Sequence, residues 1–177
     1  MEELERSMDW TVEYRVGNVL DVPERPVVLV HVVNNVGAWG AGFSGSLGRR
    51  FPEARTTYRN WARDGHVKIK IAGFAEPAVE LFGLGKVLFV GLTPRRAVAH
   101  LCAQDGVGTD RQRLRYDSLA ECLKLLATHL DSVHYQGWLA MPRIGCGLAG
   151  GSWDRVEPLL ALHLSNYPTV VYDLEKA

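Results

Sequence analysis

Residues 27–33, VVLVHVV, constrain this chain more than any other stretch: the run is apolar and mostly β-branched, broken only by His31. A strand with one wet face alternates apolar and polar residues. An unbroken run describes a strand covered on both faces, at the centre of a sheet with helices above and below. Other segments agree. Trp10, Val12, Tyr14 and Val16 alternate with Thr11, Glu13 and Arg15 as in a half-buried strand, and VKIKIAGF (67–74), VLFVGLT (87–93), WLAMPRI (138–144) and TVVYDL (169–174) read as further strands. EARTTYRNWARDG reads as a helix closed by Gly65. Residues 116–132 put Leu119, Cys122, Leu123, Leu126 and Leu130 on one helical face, and Ser152 is a good N-cap for the helix after it. Strands alternate with helices, which predicts a three-layer α/β/α domain over residues 1–177 with a mixed, roughly six-stranded sheet. AEPAVELFGLGK (75–86) reads as turn-rich. Residues 93–115, with five arginines and no period, read as a long surface loop of the kind that forms lids.

Two glycine-rich segments, 36–48 and 145–151, each follow a predicted strand. Glycine inside regular structure costs about 0.5–1 kcal/mol relative to alanine, so such density marks loops that need positive φ or close backbone approach. Backbone N–H groups between a strand and a helix form an anion site, reinforced by the helix dipole. In open α/β sheets ligands bind at the carboxyl ends of strands, where these two loops would converge. The pattern points to a phosphate-bearing ligand; for either loop alone, a plain tight turn is the alternative.

Composition removes several classes. Cys102, Cys122 and Cys146 are odd in number and lack metal-type spacing, which fits a reduced, cytoplasmic protein with neither metal nor cofactor. The opening MEELERSM is charged, and no apolar run approaches the roughly 18 residues of a membrane span, so no membrane partner is expected. Twenty basic and twenty acidic residues cancel, which argues against a dedicated nucleic-acid binder while leaving room for a local basic patch.

Three segments carry a family likeness: GNVLDV (17–22), HVVNNVGAWGAGFSGSLGRRFPEA (31–54) and MPRIGCGLAGGSWDRV (141–156), supported by YDSL at 116–119 and the closing VVYDL. The chain resembles the macro domain family, whose members bind ADP-ribose. Within it, the likeness is to the branch holding stand-alone ADP-ribose-1″-phosphate phosphatases and terminal ADP-ribose protein glycohydrolases. The resemblance implies that Asn18, beside Val19, stands where an aspartate commonly holds the adenine amino group. It implies that Gly40, Ala41, Gly42 and Phe43 wrap the distal ribose and its phosphate. Ile144, Gly145, Cys146, Gly147, Leu148 and Ala149 would offer backbone N–H groups to the diphosphate. Thr93 and Tyr172 complete the implied ligand set.

The resemblance extends through His31 and Asn34, the pair that a phosphatase of this branch would use. His31 could relay a proton or orient water, or it could be a core histidine satisfied by its surroundings. Asn34 and Asn35 could bond ribose hydroxyls or form a turn. Trp39 could shield the distal ribose or anchor its loop. Cys146 has no general base nearby and reads as a packing residue rather than a nucleophile. The departures are specific. Glycohydrolases of this branch use a lysine where this chain has Pro94 and an aspartate where it has Ala149, and Arg95 stays protonated. Asp105 and Asp110 are the carboxylates left to assist from the loop, or simply to be solvated there. Three readings follow: a hydrolase of ADP-ribose-1″-phosphate, a reader of ADP-ribose without chemistry, and an ADP-ribosyl hydrolase acting on modified protein or nucleic acid. For nucleic acid the footprint would be the arginines of 95–115.

Overall fold

The computed structural model describes residues 10–23, 25–69 and 78–176. In chain order the elements are β1 (Val12–Val16), β2 (Val27–Asn34), α1 (Gly42–Arg50), α2 (Pro52–Asp64), β3 (His66–Ile69), β4 (Ala78–Leu81), β5 (Val87–Thr93), β6 (Arg96–Gln104), α3 (Tyr116–Ser132), β7 (Trp138–Pro142), α4 (Trp153–Leu164) and β8 (Thr169–Asp173). Six strands form one mixed sheet in the order β1-β8-β7-β2-β6-β5, and β3 pairs with β4 as a separate antiparallel hairpin. Within the large sheet only β5 runs antiparallel, so β1, β8, β7, β2 and β6 all end at the same edge of the layer.

The apolar run fills the role its composition requires. β2 lies between β7 and β6 and feeds two cores. Val28 and Val30 pack with α3 and α4, while Val27, Leu29 and Val33 pack with Leu47 of α1 and with Ala54, Tyr58 and Trp61 of α2. His31 shares the second face. The five residues expected on one face of the 116–132 helix are all buried. Gly65 closes α2 at φ 75°, with its N–H donated to the Trp61 carbonyl at 3.0 Å. Ser152 caps α4 through its carbonyl, which accepts from Arg155 and Val156; its side chain makes no capping bond.

Three expectations are corrected. Residues 93–115 are not one loop: Arg96–Gln104 is the strand between β2 and β5, and Val98 through Ala103 are buried. It lies between two other strands with both faces covered, so AVAHLCAQ lacks the alternation that would betray it. The glycine-rich stretch 36–48 is loop only as far as Ala41, because Gly42 opens α1. The segment read as turn-rich contains β4, whose pairing with β3 sets it; residues 70–74 of the predicted third strand lie outside the described residues.

Candidate functional site

A cavity of about 450 Å³ opens where β2, β6 and β7 end. Three chain segments wall it: 38–44 leading into α1, 107–109 after β6, and 142–149 after β7. Among the described residues lining it, Arg143 is the one permanent cation, and there is no lysine, aspartate or glutamate. Arg143 lies 5.3 Å from the ring centres of both Tyr14 and Trp153, and its Nε donates to Asp173 at 2.6 Å. That pairing holds the Asp173 carboxyl below its usual range.

The walls offer backbone donors. Ala41 at the start of α1 supplies no side-chain cap, so the N–H groups of Gly42, Phe43 and Ser44 have no partner within the helix. In the other wall, the N–H groups of Cys146, Gly150 and Gly151 close the turn on Arg143, Gly147 and Gly145 carbonyls. Those of Gly147, Leu148 and Ala149 have no backbone partner among the described residues.

The glycines divide into two sets. A Cβ on Gly40, Gly42 or Gly147 would meet nothing within 4 Å, so their bareness leaves room for something other than protein. Gly42 also sits at φ +63°, where a side chain is strained. A Cβ on Gly145 would meet Leu114 Cδ2 at 2.7 Å, one on Gly150 would meet Gln112 Cα at 3.3 Å, and one on Gly151 would meet the Gly145 carbonyl oxygen at 2.6 Å. The 105–115 segment packs on all three, and Gly145 and Gly150 also hold a left-handed backbone, at φ +70° and +76°. Gly48, inside α1, is bare because Trp39 Nε1 lies 2.7 Å from where its Cβ would be.

His31 and His100 stand opposite each other in the β2–β6 register, and His31 Nε2 lies 2.6 Å from His100 Nδ1. Both are buried, at 2% and 0% exposure. Ser44 Oγ, from α1, lies 3.3 Å from His31 Nδ1, and the edges of Phe43 and Trp39 complete the enclosure. Burial pushes His31 well below the usual histidine range, with His100 adding to the effect, and burial lowers His100 to about 3. Both rings are therefore neutral at pH 7. Neither His100 nor Ser44 was singled out from the sequence: His100 lay in the supposed loop, and Ser44 is an ordinary residue of a glycine-rich run until the His31 contact is seen.

The asparagines are spoken for. Asn34 Oδ1 accepts from the Val36 and Ala38 N–H groups and from the Tyr58 hydroxyl at 2.9 Å, while its Nδ2 donates to the Ala38 carbonyl. Asn34 thus shapes the loop that carries Trp39. We expect Asn34→Ala to cost about 2–3 kcal/mol in a urea titration, because it strands several donors at once; a cost under about 0.5 kcal/mol would show that the clamp is unimportant. Asn35 Oδ1 accepts from Gly106 N–H, and its Nδ2 donates to Asp105, joining this loop to the 105–115 segment.

Among solved structures, a macrodomain protein from Streptomyces coelicolor is 32% identical, with 92% of this chain and 98% of that one covered and a TM-score of 0.71. The chain belongs to the macro domain family. A Bacteroides thetaiotaomicron protein of unknown function is 29% identical over 92% of this macro domain and 98% of its own length, at a TM-score of 0.76. Thermosipho africanus DarTG, solved in complex with ADP-ribose, shares the fold at 16% identity and a TM-score of 0.68, over 94% of this chain and 42% of that one. No family sequence model and no curated protein matches the chain.

Against that family frame, the cavity gathers His31, Asn34, Trp39, Gly40, Ala41, Gly42, Phe43, Ile144, Gly145, Gly147, Leu148 and Ala149 from the set implied by resemblance. It does not gather the rest. Asn18 follows β1 at the same sheet edge, but its side chain accepts from the Leu20 N–H at 2.9 Å, and Val19 is buried beneath it. Tyr172 is buried in the core on the α1–α2 face of the sheet. Cys146 turns its thiol to the Ile144 carbonyl, and burial raises its pKa, which disfavours a thiolate. Thr93 ends the antiparallel β5, so it and Pro94 lie at the opposite edge of the sheet. Asp105 is held by Arg115 and Asn35, and Asp110 by Arg113; neither lines the cavity.

No helix among the described residues is long and apolar enough to cross a membrane.

Proposed function

We propose that this macro domain binds ADP-ribose, with the diphosphate held by the N–H groups of Gly147–Ala149 and the amino terminus of α1. The observation that carries the reading is the pair of open backbone walls, Gly40–Ser44 and Gly147–Ala149, facing one cavity with Arg143 at its rim. Two sets of N–H donors without backbone partners and one cation match an anionic ligand, and a volume of about 450 Å³ suits one of dinucleotide size. The ADP-ribose complex of the Thermosipho protein, which shares the fold, supports the same assignment. Calorimetry should find ADP-ribose bound at least roughly tenfold more tightly than AMP, because AMP lacks the second phosphate and the distal ribose. Equal affinities would remove the site as drawn.

A second reading, hydrolysis of ADP-ribose-1″-phosphate, has one observation in its favour: a neutral imidazole, His31, on the cavity floor. Acting through Ser44, which lies against its Nδ1, such a base could take a proton from a water attacking phosphorus and pass it to O1″ as the P–O1″ bond breaks, releasing inorganic phosphate and ADP-ribose. Its lowered basicity and the absence of a lining carboxylate place this reading second to binding. Phosphate release from ADP-ribose-1″-phosphate, compared between the wild type and His31→Ala, decides between them. Release abolished by the variant supports the hydrolase, and no release by wild-type protein that binds ADP-ribose leaves the reader.

A further inference from the structure

We infer that Arg113 is a positioning residue that holds the 107–109 wall of the cavity, and that this wall recognises the distal ribose, so that Arg113 sets a preference for ADP-ribose over ADP. The ligand in this inference rests on the ADP-ribose reading; the hold of Arg113 on the wall does not.

The Arg113 side chain is only 13% exposed, inside a turn that the residue itself closes. Its carbonyl accepts from the Asp105 N–H at 2.8 Å. Its Nη1 donates to the Asp105 carbonyl at 3.4 Å and its Nη2 to Asp110 Oδ1 at 2.6 Å, so the guanidinium joins the two ends of the 105–110 turn. The turn is wound around it. A Cβ on Gly106 would meet Nη1 at 3.1 Å and one on Gly108 would meet Nη2 at 3.4 Å, and both glycines hold positive φ, at 73° and 116°. Nε has no partner among the described residues. A buried cation with an idle donor is a costly filler, and an apolar side chain of that size would occupy the space at less cost. An apolar side chain would lack the fork, which fixes two points of one turn at once.

The main chain at the same place serves the other wall. The Arg113 and Leu114 N–H groups both donate to the Ala149 carbonyl, at 2.8 and 3.0 Å. Backbone therefore supports the diphosphate loop while the side chain supports 107–109, and a substitution at 113 removes only the second support.

The two ends of the cavity differ in what they can hold. It runs across the strand ends from β6, where Val107, Gly108 and Thr109 line it, to β8, where Leu174 does. The backbone donors of 42–44 and 147–149 follow β2 and β7, which lie between. At the β8 end, exposed Leu174 and the Arg143 guanidinium, its fork taken by Asp173, offer contact to a flat base. At the β6 end, the main chain of Gly108 and the Thr109 hydroxyl suit a sugar.

Calorimetry should show wild-type protein binding ADP-ribose at least roughly tenfold more tightly than ADP. In Arg113→Met, which keeps much of the side chain's reach and loses the fork, ADP should stay within about threefold of wild type while ADP-ribose weakens by roughly tenfold or more. Asp110→Asn, made on an exposed side chain, should shift the ratio the same way by several-fold, and it decides the matter where Arg113→Met does not fold. A merely structural arginine would weaken both ligands together. Parallel losses, an unchanged ratio in the variants, or a wild type that binds ADP as tightly as ADP-ribose overturns the inference. Hydrogen exchange in ligand-free protein reads the wall directly. The Gly106 amide, which donates to Asn35, should exchange at least roughly tenfold faster in Arg113→Met, and the Leu114 amide should not change. Equal exchange at Gly106 overturns the hold of Arg113 on the wall. If wild-type protein binds neither ligand, the binding reading falls, and the exchange rates still decide that hold.

Discussion

Gly147→Val should lower ADP-ribose affinity by roughly 100-fold or more while the protein keeps near-wild-type stability. Hydrogen bonds from N–H groups to charged oxygens contribute about 1.5–3 kcal/mol each, so losing two of them reaches that factor. A Cβ at Gly147 meets no protein atom within 4 Å and the residue does not need a left-handed backbone, so the substitution fills ligand space without straining the fold. Gly151→Val, four residues on, should behave oppositely. Its Cβ would press on Leu114 and on the Gly145 carbonyl, which is backbone and cannot turn aside. Its cost is about 1–3 kcal/mol of stability, with affinity lost only through unfolding. Calorimetry and thermal melts on both variants check the pair. A Gly147→Val protein that binds normally would sink the backbone-cradle argument, and a Gly151→Val protein that is stable but cannot bind would mean the two glycine roles are exchanged.

That contrast shows what a sequence can and cannot carry. MPRIGCGLAGG announces that main chain must come close to something, but not to what. In the folded molecule Gly145, Gly150 and Gly151 accommodate Leu114 and Gln112, partners more than thirty residues away, while Gly147 is bare for the cavity. β2 was legible because seven consecutive residues share one environment. β6 was not, because its neighbours supply that environment: RAVAHLCAQ holds an arginine, a histidine and a glutamine, and only the pairing with β2 and β5 makes it a strand. The same pairing sets His100 against His31. Asn34 and Asn35 were visible as polar residues after a strand. Their use was hidden, since Tyr58 and Gly106, which engage them, come from α2 and from the segment after β6. Trp39 packs 5.6 Å from Tyr58, as a loop anchor does, and its ring also lines the cavity.

The buried pair should also make the protein acid-labile from an unusually high pH. A histidine titrates near 6.5 in an unfolded chain. His31 and His100 are held below that value by burial, His100 at about 3, so above pH 6.5 both states are neutral there and stability does not depend on them. As pH falls below 6.5 the unfolded chain takes up protons that the folded protein refuses. Stability is then lost at about 1.4 kcal/mol per pH unit for each such histidine, until the folded pKa is reached. For His100 alone the loss approaches about 5 kcal/mol near pH 3, the low end of a whole domain's stability of roughly 5–15 kcal/mol. The groups around the two rings (Ser44, Trp39, Phe43 and Tyr58) include no carboxylate that could support an imidazolium. Denaturant titrations between pH 7 and 5 isolate the effect, since most carboxylates remain ionised there. His129 and His163 are also lowered by burial, so the comparison must be with His100→Gln, which leaves them in place. The variant's slope of stability against pH should be shallower than the wild type's by about one proton. Equal slopes would mean that His100 takes up its proton inside the folded protein, and the dry, neutral pair behind Ser44 would have to be abandoned.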